Sequence, residues 1–260
     1  MTLVQAVVLG TVQGLAEFLP ISSSAHLVLV PWFFGWPDPG LTFDVALHMG
    51  TLLAVVTYFW RDWLRLLAHA LGRPASGEGK LFRLLALATI PGGISGYLLE
   101  KQAETSFRSP FLVAVMLVSM GLALYLADKR FPGSKALSGT GWADALWIGA
   151  AQALAIIPGV SRSGVTMAAG RARNLSREAA ARFSFLLSTP IILGAGVTQL
   201  SHISPGALDG AFWAGVVSSA LVGFLAIRWL LRYLVNHNFN IFVGYRFLLG
   251  LAVLATAVKR

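Results

Sequence analysis

The chain has 260 residues, 56% of them hydrophobic and only 12% charged. That is about half the charge of an ordinary soluble domain and makes a water-soluble fold of this length improbable. The net charge of +9 comes from basic residues in short connections between apolar stretches, which argues against a polynucleotide-binding face and for membrane topology. Cysteine is absent, which removes disulfides, thiolate metal sites and cysteine-based phosphatase chemistry.

In chain order, apolar stretches run over 3–19, 43–60, 81–99, 111–127, 142–157, 183–200, 211–231 and 247–258. Most approach the roughly 20 residues that a helix needs to cross a bilayer. The opening Met1-Thr-Leu-Val-Gln5 has no basic stretch, and no small-residue cleavage site closes the first apolar run, so no removable signal peptide is expected. Residues 72–79 form a short flexible loop, not a linker between domains. The expectation is a single membrane domain over 1–260, with one repeat over about 1–130 and a second over about 140–260.

An offset of 139 aligns Gly10, Gln13, Leu15, Ala16, Ser22 and Ser24 with Gly149, Gln152, Leu154, Ala155, Ser161 and Ser163, six identities in fifteen positions. Weak residue matches in a regular arrangement are how repeated membrane folds show in sequence. Each matched segment bends near a proline, Pro20 or Pro158. A straight span would put Glu17 or Arg162 against lipid at roughly 2.5–3.5 kcal/mol each. A re-entrant helical hairpin avoids this, because its non-helical tip is buried in protein or lines a wet cavity.

The fold class expected is therefore all-α integral membrane: an inverted-topology repeat with two re-entrant hairpins and about six full transmembrane helices. One hairpin and three spans per half force opposite orientations, since three is odd. Fourteen basic residues then fall on one side (Arg61, Arg65, Arg73, Lys80, Arg83, Lys129, Arg130, Lys135, Arg171, Arg173, Arg177, Arg182, Arg228 and Arg232) and four on the other (Lys101, Arg108, Lys259 and Arg260). The excess assigns the first side to the cytoplasm. The first hairpin then dips in from outside and the second from the cytoplasm, so that their tips can meet near the midplane.

The first polar segment is Gln13-Gly-Leu-Ala-Glu17-Phe-Leu-Pro20-Ile-Ser22-Ser23-Ser24-Ala-His26. Gln13 and Glu17, four apart, share a helix face, and His26 follows three hydroxyls. A carboxylate, an imidazole and hydroxyls in one buried hairpin suffice for a nucleophile and base, or for a metal-bound phosphate. The plainer account has the serines capping a helix and His26 bonding within the bundle. The second segment, Pro158-Gly159-Val160-Ser161-Arg162-Ser163-Gly164-Val165-Thr166, opens a helix with hydroxyls around one guanidinium, an oxyanion cradle in composition. Arg162 can also pair with Glu17 at rest and release it to admit substrate. His48 is assigned to packing or an interhelical hydrogen bond and left outside the catalytic set. His69, His202 and His237 fall in or near connections, and Trp32, Trp36, Trp60 and Trp63 fit an aromatic belt at span ends.

At these residues the chain resembles the undecaprenyl-diphosphate phosphatase, or bacitracin-resistance, family. The resemblance lies in Gln13-x-x-x-Glu17, in Leu-Pro-Ile-Ser-Ser-Ser-Ala-His over 19–26 and in Pro-Gly-Val-Ser-Arg-Ser-Gly-Val-Thr over 158–166. Phe43-Asp-Val-Ala-Leu-His-Met-Gly-Thr-Leu-Leu-Ala-Val55 and Arg182-Phe-Ser-Phe-Leu-Leu187 extend it essentially end to end. The resemblance implies removal of the terminal phosphate from a C55 isoprenyl diphosphate, recycling the lipid carrier of bacterial cell-wall synthesis in the inner membrane, with a site opening outward. It implies dependence on a divalent cation, Mg²⁺ or Ca²⁺, and it casts Glu17, Ser23, His26 and Arg162 as catalytic. Ser22, Ser24, Gly159, Ser161, Ser163 and Thr166 join Arg162 in phosphate binding, and Glu17 and Gln13 are the candidate metal ligands. The expected partners are the isoprenyl diphosphate lipid, the bilayer and a second copy in a homodimer, with no nucleic acid. Gln13 stands where the family's first acid is usual, leaving one carboxylate, and Ala25 stands in place of a glycine. Direct attack by His26 and attack by Ser23 both stay open, and the rival class is a transporter of an isoprenyl phosphate lipid.

Overall fold

The computed structural model describes residues 1–73, 76–199 and 208–257. His202, Lys259, Arg260, Pro74 and Ala75 therefore lie outside the described residues. The described chain is an all-α integral membrane protein. Helix α1 (Leu3–Phe18) starts on a capping box, in which the Thr2 hydroxyl accepts from the Gln5 N–H at 3.2 Å and Gln5 Oε1 accepts from the Thr2 N–H at 2.9 Å. It stops before Pro20, whose ring disfavours helical backbone in the residue preceding it. Helix α2 (Ser23–Phe34) returns from the bend and ends at Gly35, in the left-handed region at φ 64°.

The rest of the first half is α3 (Gly40–Tyr58), α4 (Trp60–Gly72), α5 (Gly77–Leu98), the short α6 (Glu100–Glu104), a 3₁₀ turn at Ser106–Arg108 and α7 (Pro110–Arg130). The second half repeats the order as α8 (Trp142–Ala153, extended by a 3₁₀ turn over Leu154–Ile156), α9 (Arg162–Ala172), α10 (Arg177–Gln199), α11 (Gly210–Asn236) and α12 (Asn240–Ala257). By length and apolar composition α3, α5, α7, α10 and α11 can cross a membrane. Helix α12, at 18 residues, is about 27 Å long at 1.5 Å per residue and runs antiparallel beside α7, with Arg246 against Gly121 and Gly250 against Ala114.

Helix α4 is the element the sequence reading treats only as a connection. Its Leu66 is buried while Arg61 and Arg65 are exposed, and it packs on α5. One apolar face and basic residues on the other are what an interfacial helix requires.

The inverted repeat is visible in which helices pair. Helix α1 packs on α11, and α8, its counterpart, packs on α5. The close approach is made by matched glycines: a Cβ on Gly10 would overlap the Gly215 carbonyl, and one on Gly149 would lie 2.7 Å from the Ala88 carbonyl oxygen. Small residues let membrane helices touch backbone to backbone, where dispersion does the work that water expulsion does elsewhere. Gly149→Val is accordingly expected to destabilise the fold by about 1–3 kcal/mol, read as a lowered unfolding midpoint in detergent. Gly244→Val, where an added Cβ would meet no atom of the described residues within 4 Å, is the control and should leave the midpoint in place.

Each hairpin enters and leaves on a single face of its own. Met1 and Gln5 line one cavity with Trp36 and Asp38, so α1 begins where α2 ends. Lys135 and Arg173, on either side of the second hairpin, both reach Asp144 at 2.8 Å. Arg171 and Arg177 meet on Asp128, and Arg182 reaches Asp62, which gathers much of the larger basic group at one membrane face. Arg108 sits with Asp38 and Asp44, by the ends of the first hairpin.

Candidate active site

The two hairpin tips are built alike. Ser22 and Ser161, related by the offset, are non-glycine residues at φ 76° and φ 73°, a conformation that costs about 1–3 kcal/mol each and persists only where surroundings impose it. Each caps the next helix, accepting from the N–H of Ala25 at 3.4 Å or of Gly164 at 3.1 Å. Each hydroxyl also lies against that of the serine two residues on, Ser24 at 3.3 Å and Ser163 at 3.2 Å. The tips touch: the Gly159 N–H donates to Ser22 Oγ at 3.0 Å and the Ser163 hydroxyl to the Leu19 carbonyl at 3.1 Å.

Arg246 of α12, fully buried, holds both tips from behind. Its guanidinium donates to the carbonyls of Gly159 at 2.6 Å, Val160 at 3.2 Å and Pro20 at 3.2 Å, and to those of Leu117 and Met116 on α7. The sequence reading missed this residue, although an arginine inside an apolar span is a functional candidate by default. Arg246→Ala is expected to cost several kcal/mol by stranding those carbonyls, measured as a large drop in thermal midpoint with loss of turnover; Arg246→Lys should recover part of the midpoint.

Glu17, 5% exposed, is the hub between the tips. Its Oε2 accepts from the Ser23 hydroxyl at 2.6 Å and from Gln13 Nε2 at 3.1 Å, and its Oε1 accepts from Arg162 at 3.0 Å. The 2.6 Å contact is a short, charge-assisted bond and places a nucleophile against a base. Arg162 also donates to the Ser184 carbonyl at 2.8 Å, while its Nε is buried without a partner. Thr166 braces this arrangement, its hydroxyl 2.7 Å from the Arg162 carbonyl and 2.7 Å from Ser184 Oγ. Arg162 opens α9 behind the Ser161 cap, so the N-terminal end of a helix faces the same place and favours an anion there.

Glu17, Ser23 and Arg162 line the floor of a cavity of about 470 Å³ that extends past Asp44 and His48 to Tyr97, Glu100 and Arg108. Gln13, Glu17, Ser23 and Arg162 are thus brought together, and Ser24 and Ser161 line the same space. His26 is not brought to it. The His26 Nδ1–H donates to the Ser22 carbonyl at 2.6 Å, and Nε2 lies 2.6 Å from the Tyr245 hydroxyl, with the two rings stacked. Helix phase is the reason: Ser23, Ser24 and Leu27 face the cavity, and at about 100° per residue His26 falls on the flank turned to α12. Its visible role is to fix the Ser22 bend.

His48 does reach the site. Its Nε2 lies 3.3 Å from Glu17 Oε2, and its Nδ1 donates to the Asp44 carbonyl at 2.7 Å. This is the interhelical bond that the sequence reading allowed for, now made to the central carboxylate. Asp44, one turn earlier, bonds Arg108 through Oδ2 at 2.8 Å and has Oδ1 buried without a partner.

Among the described residues no three histidine, aspartate or glutamate side chains converge as a metal cage. What the site offers is the Glu17 carboxylate on the floor and, on the side chain bonded to it, the buried Gln13 Oε1, which has no hydrogen-bond donor among the described residues. Those are oxygen ligands suited to a hard cation that arrives with substrate phosphates and needs only one or two protein groups.

The family model described as bacitracin resistance protein BacA matches residues 6–252. The chain is 59% identical over 260 residues to the undecaprenyl-diphosphatase of Pelotomaculum thermopropionicum, covering 100% of this chain and 98% of that protein. It is 57% identical over 256 residues to the undecaprenyl-diphosphatase of Desulforudis audaxviator, with 98% of each chain covered. Against that of Moorella thermoacetica the identity is 56% over 255 residues, again with 98% of each covered. With the two matched hairpin tips facing each other across Glu17, the chain belongs to the bacitracin resistance protein BacA family.

Proposed function

We propose that this chain hydrolyses undecaprenyl diphosphate to undecaprenyl phosphate and inorganic phosphate. The observation that carries the chemistry is the Ser23 hydroxyl on Glu17 at 2.6 Å, with Arg162 on the other oxygen of the same carboxylate. Ser23 Oγ attacks the terminal phosphorus while Glu17 takes its proton; the bond to the bridging oxygen breaks, and Glu17 passes that proton to the departing lipid monophosphate. Water then cleaves the phosphoserine, with Glu17, ionised again, accepting a proton from the attacking water and returning it to the Ser23 oxygen as inorganic phosphate leaves. Arg162 and the first N–H groups of α9 hold the phosphoryl oxygens in a site poor in water, where fixed donors are worth most. Glu17 and Gln13 Oε1 would hold the divalent cation, Mg²⁺ or Ca²⁺, which supplies charge neutralisation of the diphosphate.

We assign the site to the outer face of the bacterial inner membrane. In support, the cavity extends from Glu17 towards Tyr97, Glu100 and Arg108, on the side with the smaller share of basic residues. The natural absence of cysteine makes a direct test simple: a single cysteine at Tyr97 should react with a membrane-impermeant thiol reagent on intact cells, and one at Arg65 should not.

Purified protein in detergent should release phosphate from C55 and C15 diphosphates and lose that activity on chelation of divalent cations. Binding of the lipid without release would turn the assignment to transport.

A further inference from the structure

The cavity changes character along its length. Its floor is polar, but the wall between α5 and α10 is formed by Gly92, Gly93, Gly96, Pro190, Gly194 and Ala195. The glycines at the helix contacts earn their place by closeness, as Gly10 and Gly149 do. Gly93, Gly96 and Gly194 do not: among the described residues a Cβ on any of them would meet no atom within 4 Å. A helix-interior glycine costs about 1 kcal/mol relative to alanine, and here no packing contact requires it. What the missing side chains leave is a trough.

The trough is open sideways. Gly93, Gly194 and Ala195 line the cavity and are also exposed on the outside of the protein. Around them Ile90, Ile94, Leu193 and Val197 are each more than half exposed on the faces that meet lipid. At its inner end the trough meets unsatisfied polar atoms. Gln152, 3% exposed, lines the cavity with Oε1 unpartnered, and its Nε2 would lie 2.7 Å from a Cβ on Gly92. Arg162, whose Nε is buried without a partner among the described residues, lines the same cavity. An enclosed polar floor that continues into an apolar slot open to the bilayer has the polarity of an amphiphile, charged head inward and hydrocarbon outward.

Resting on the phosphatase assignment above, we propose that the isoprenyl chain leaves the site between α5 and α10, its head-proximal units lying in the trough over Gly93, Gly96 and Gly194. These positions then determine how bulky a tail the site accepts. Filling the trough weakens the hold on the tail without touching the groups that act on phosphorus.

The test is Gly93→Leu, Gly96→Leu and Gly194→Leu, with Gly244→Leu on α12 as the control, assayed on C15 and C55 diphosphates. Methylene-scale changes in an apolar pocket are worth about 10–200-fold, so KM should rise about tenfold or more in the trough variants with kcat within about twofold, and the control should match the parent. A photoreactive residue at 96 or 194 should cross-link to labelled C55 monophosphate, and one at 244 should not. Unchanged KM, or a fall in kcat in place of the rise in KM, would overturn the tail path, as would cross-linking at 244 alone. The cross-link reports on the path even if a leucine variant fails to fold. Failure of the parent protein to release phosphate would instead count against the phosphatase assignment.

Discussion

Arg162→Ala is expected to reduce phosphate release from the isoprenyl diphosphate by about 10³-fold or more, the scale on which a single guanidinium acts in phosphoryl transfer. At rest Arg162 is committed to Glu17 at 3.0 Å and to the Ser184 carbonyl at 2.8 Å, with Nε in reserve. A diphosphate competes for the same fork and releases Glu17 for Ser23. Arg162→Lys keeps the charge but loses the planar pair of donors, so it should fall between parent and alanine in kcat. The alanine variant also leaves Glu17 buried beside His48 without its guanidinium, and breaking a buried pair in this way costs about 3–5 kcal/mol. Turnover should therefore be read together with the thermal midpoint, and Glu17→Gln/Arg162→Ala should recover midpoint without recovering turnover. Wild-type turnover in Arg162→Ala would remove the phosphate-binding role.

The second large effect separates Ser23 from His26. Ser23→Ala should lower kcat by about 10³-fold or more, as loss of a nucleophile does, and should abolish the phosphoenzyme trapped by acid quenching. His26→Asn should retain the phosphoenzyme and lose about tenfold, because the imidazole lies on Ser22 and Tyr245, away from the cavity. A phosphate label recovered on His26 would reverse the two roles, and the absence of any covalent species under single turnover would remove both in favour of direct attack by water. Tyr245→Phe should resemble a mild form of His26→Asn, since it removes only the hydroxyl that contacts Nε2.

Much of the architecture was legible in the order of residues. The offset of 139 that aligns Ser22 with Ser161 and Gly10 with Gly149 corresponds to matched backbone angles at the tips and matched close contacts at α11 and α5. The pairing of Glu17 with Arg162 that the sequence allowed, each charge neutralising the other on burial, is present at 3.0 Å. Helix α4 was less legible, because a basic, tryptophan-rich connection and an interfacial helix share one composition.

The paired polar segments, their bends and the opposed orientation follow from the sequence by itself, since apolar length, intramembrane charge and an odd number of spans leave few alternatives. Which side chains finally face the phosphate was decided only by tertiary structure. His26 is three residues from Ser23 yet is turned by helix phase to Tyr245 of α12, while His48 of α3 reaches Glu17. Arg246 closes the site from 226 residues beyond Pro20. Local sequence carries the periodicity of each helix, but the rotation of one helix against another is fixed by glycine-mediated contacts between distant segments, and in lipid those contacts decide which polar atoms find a partner.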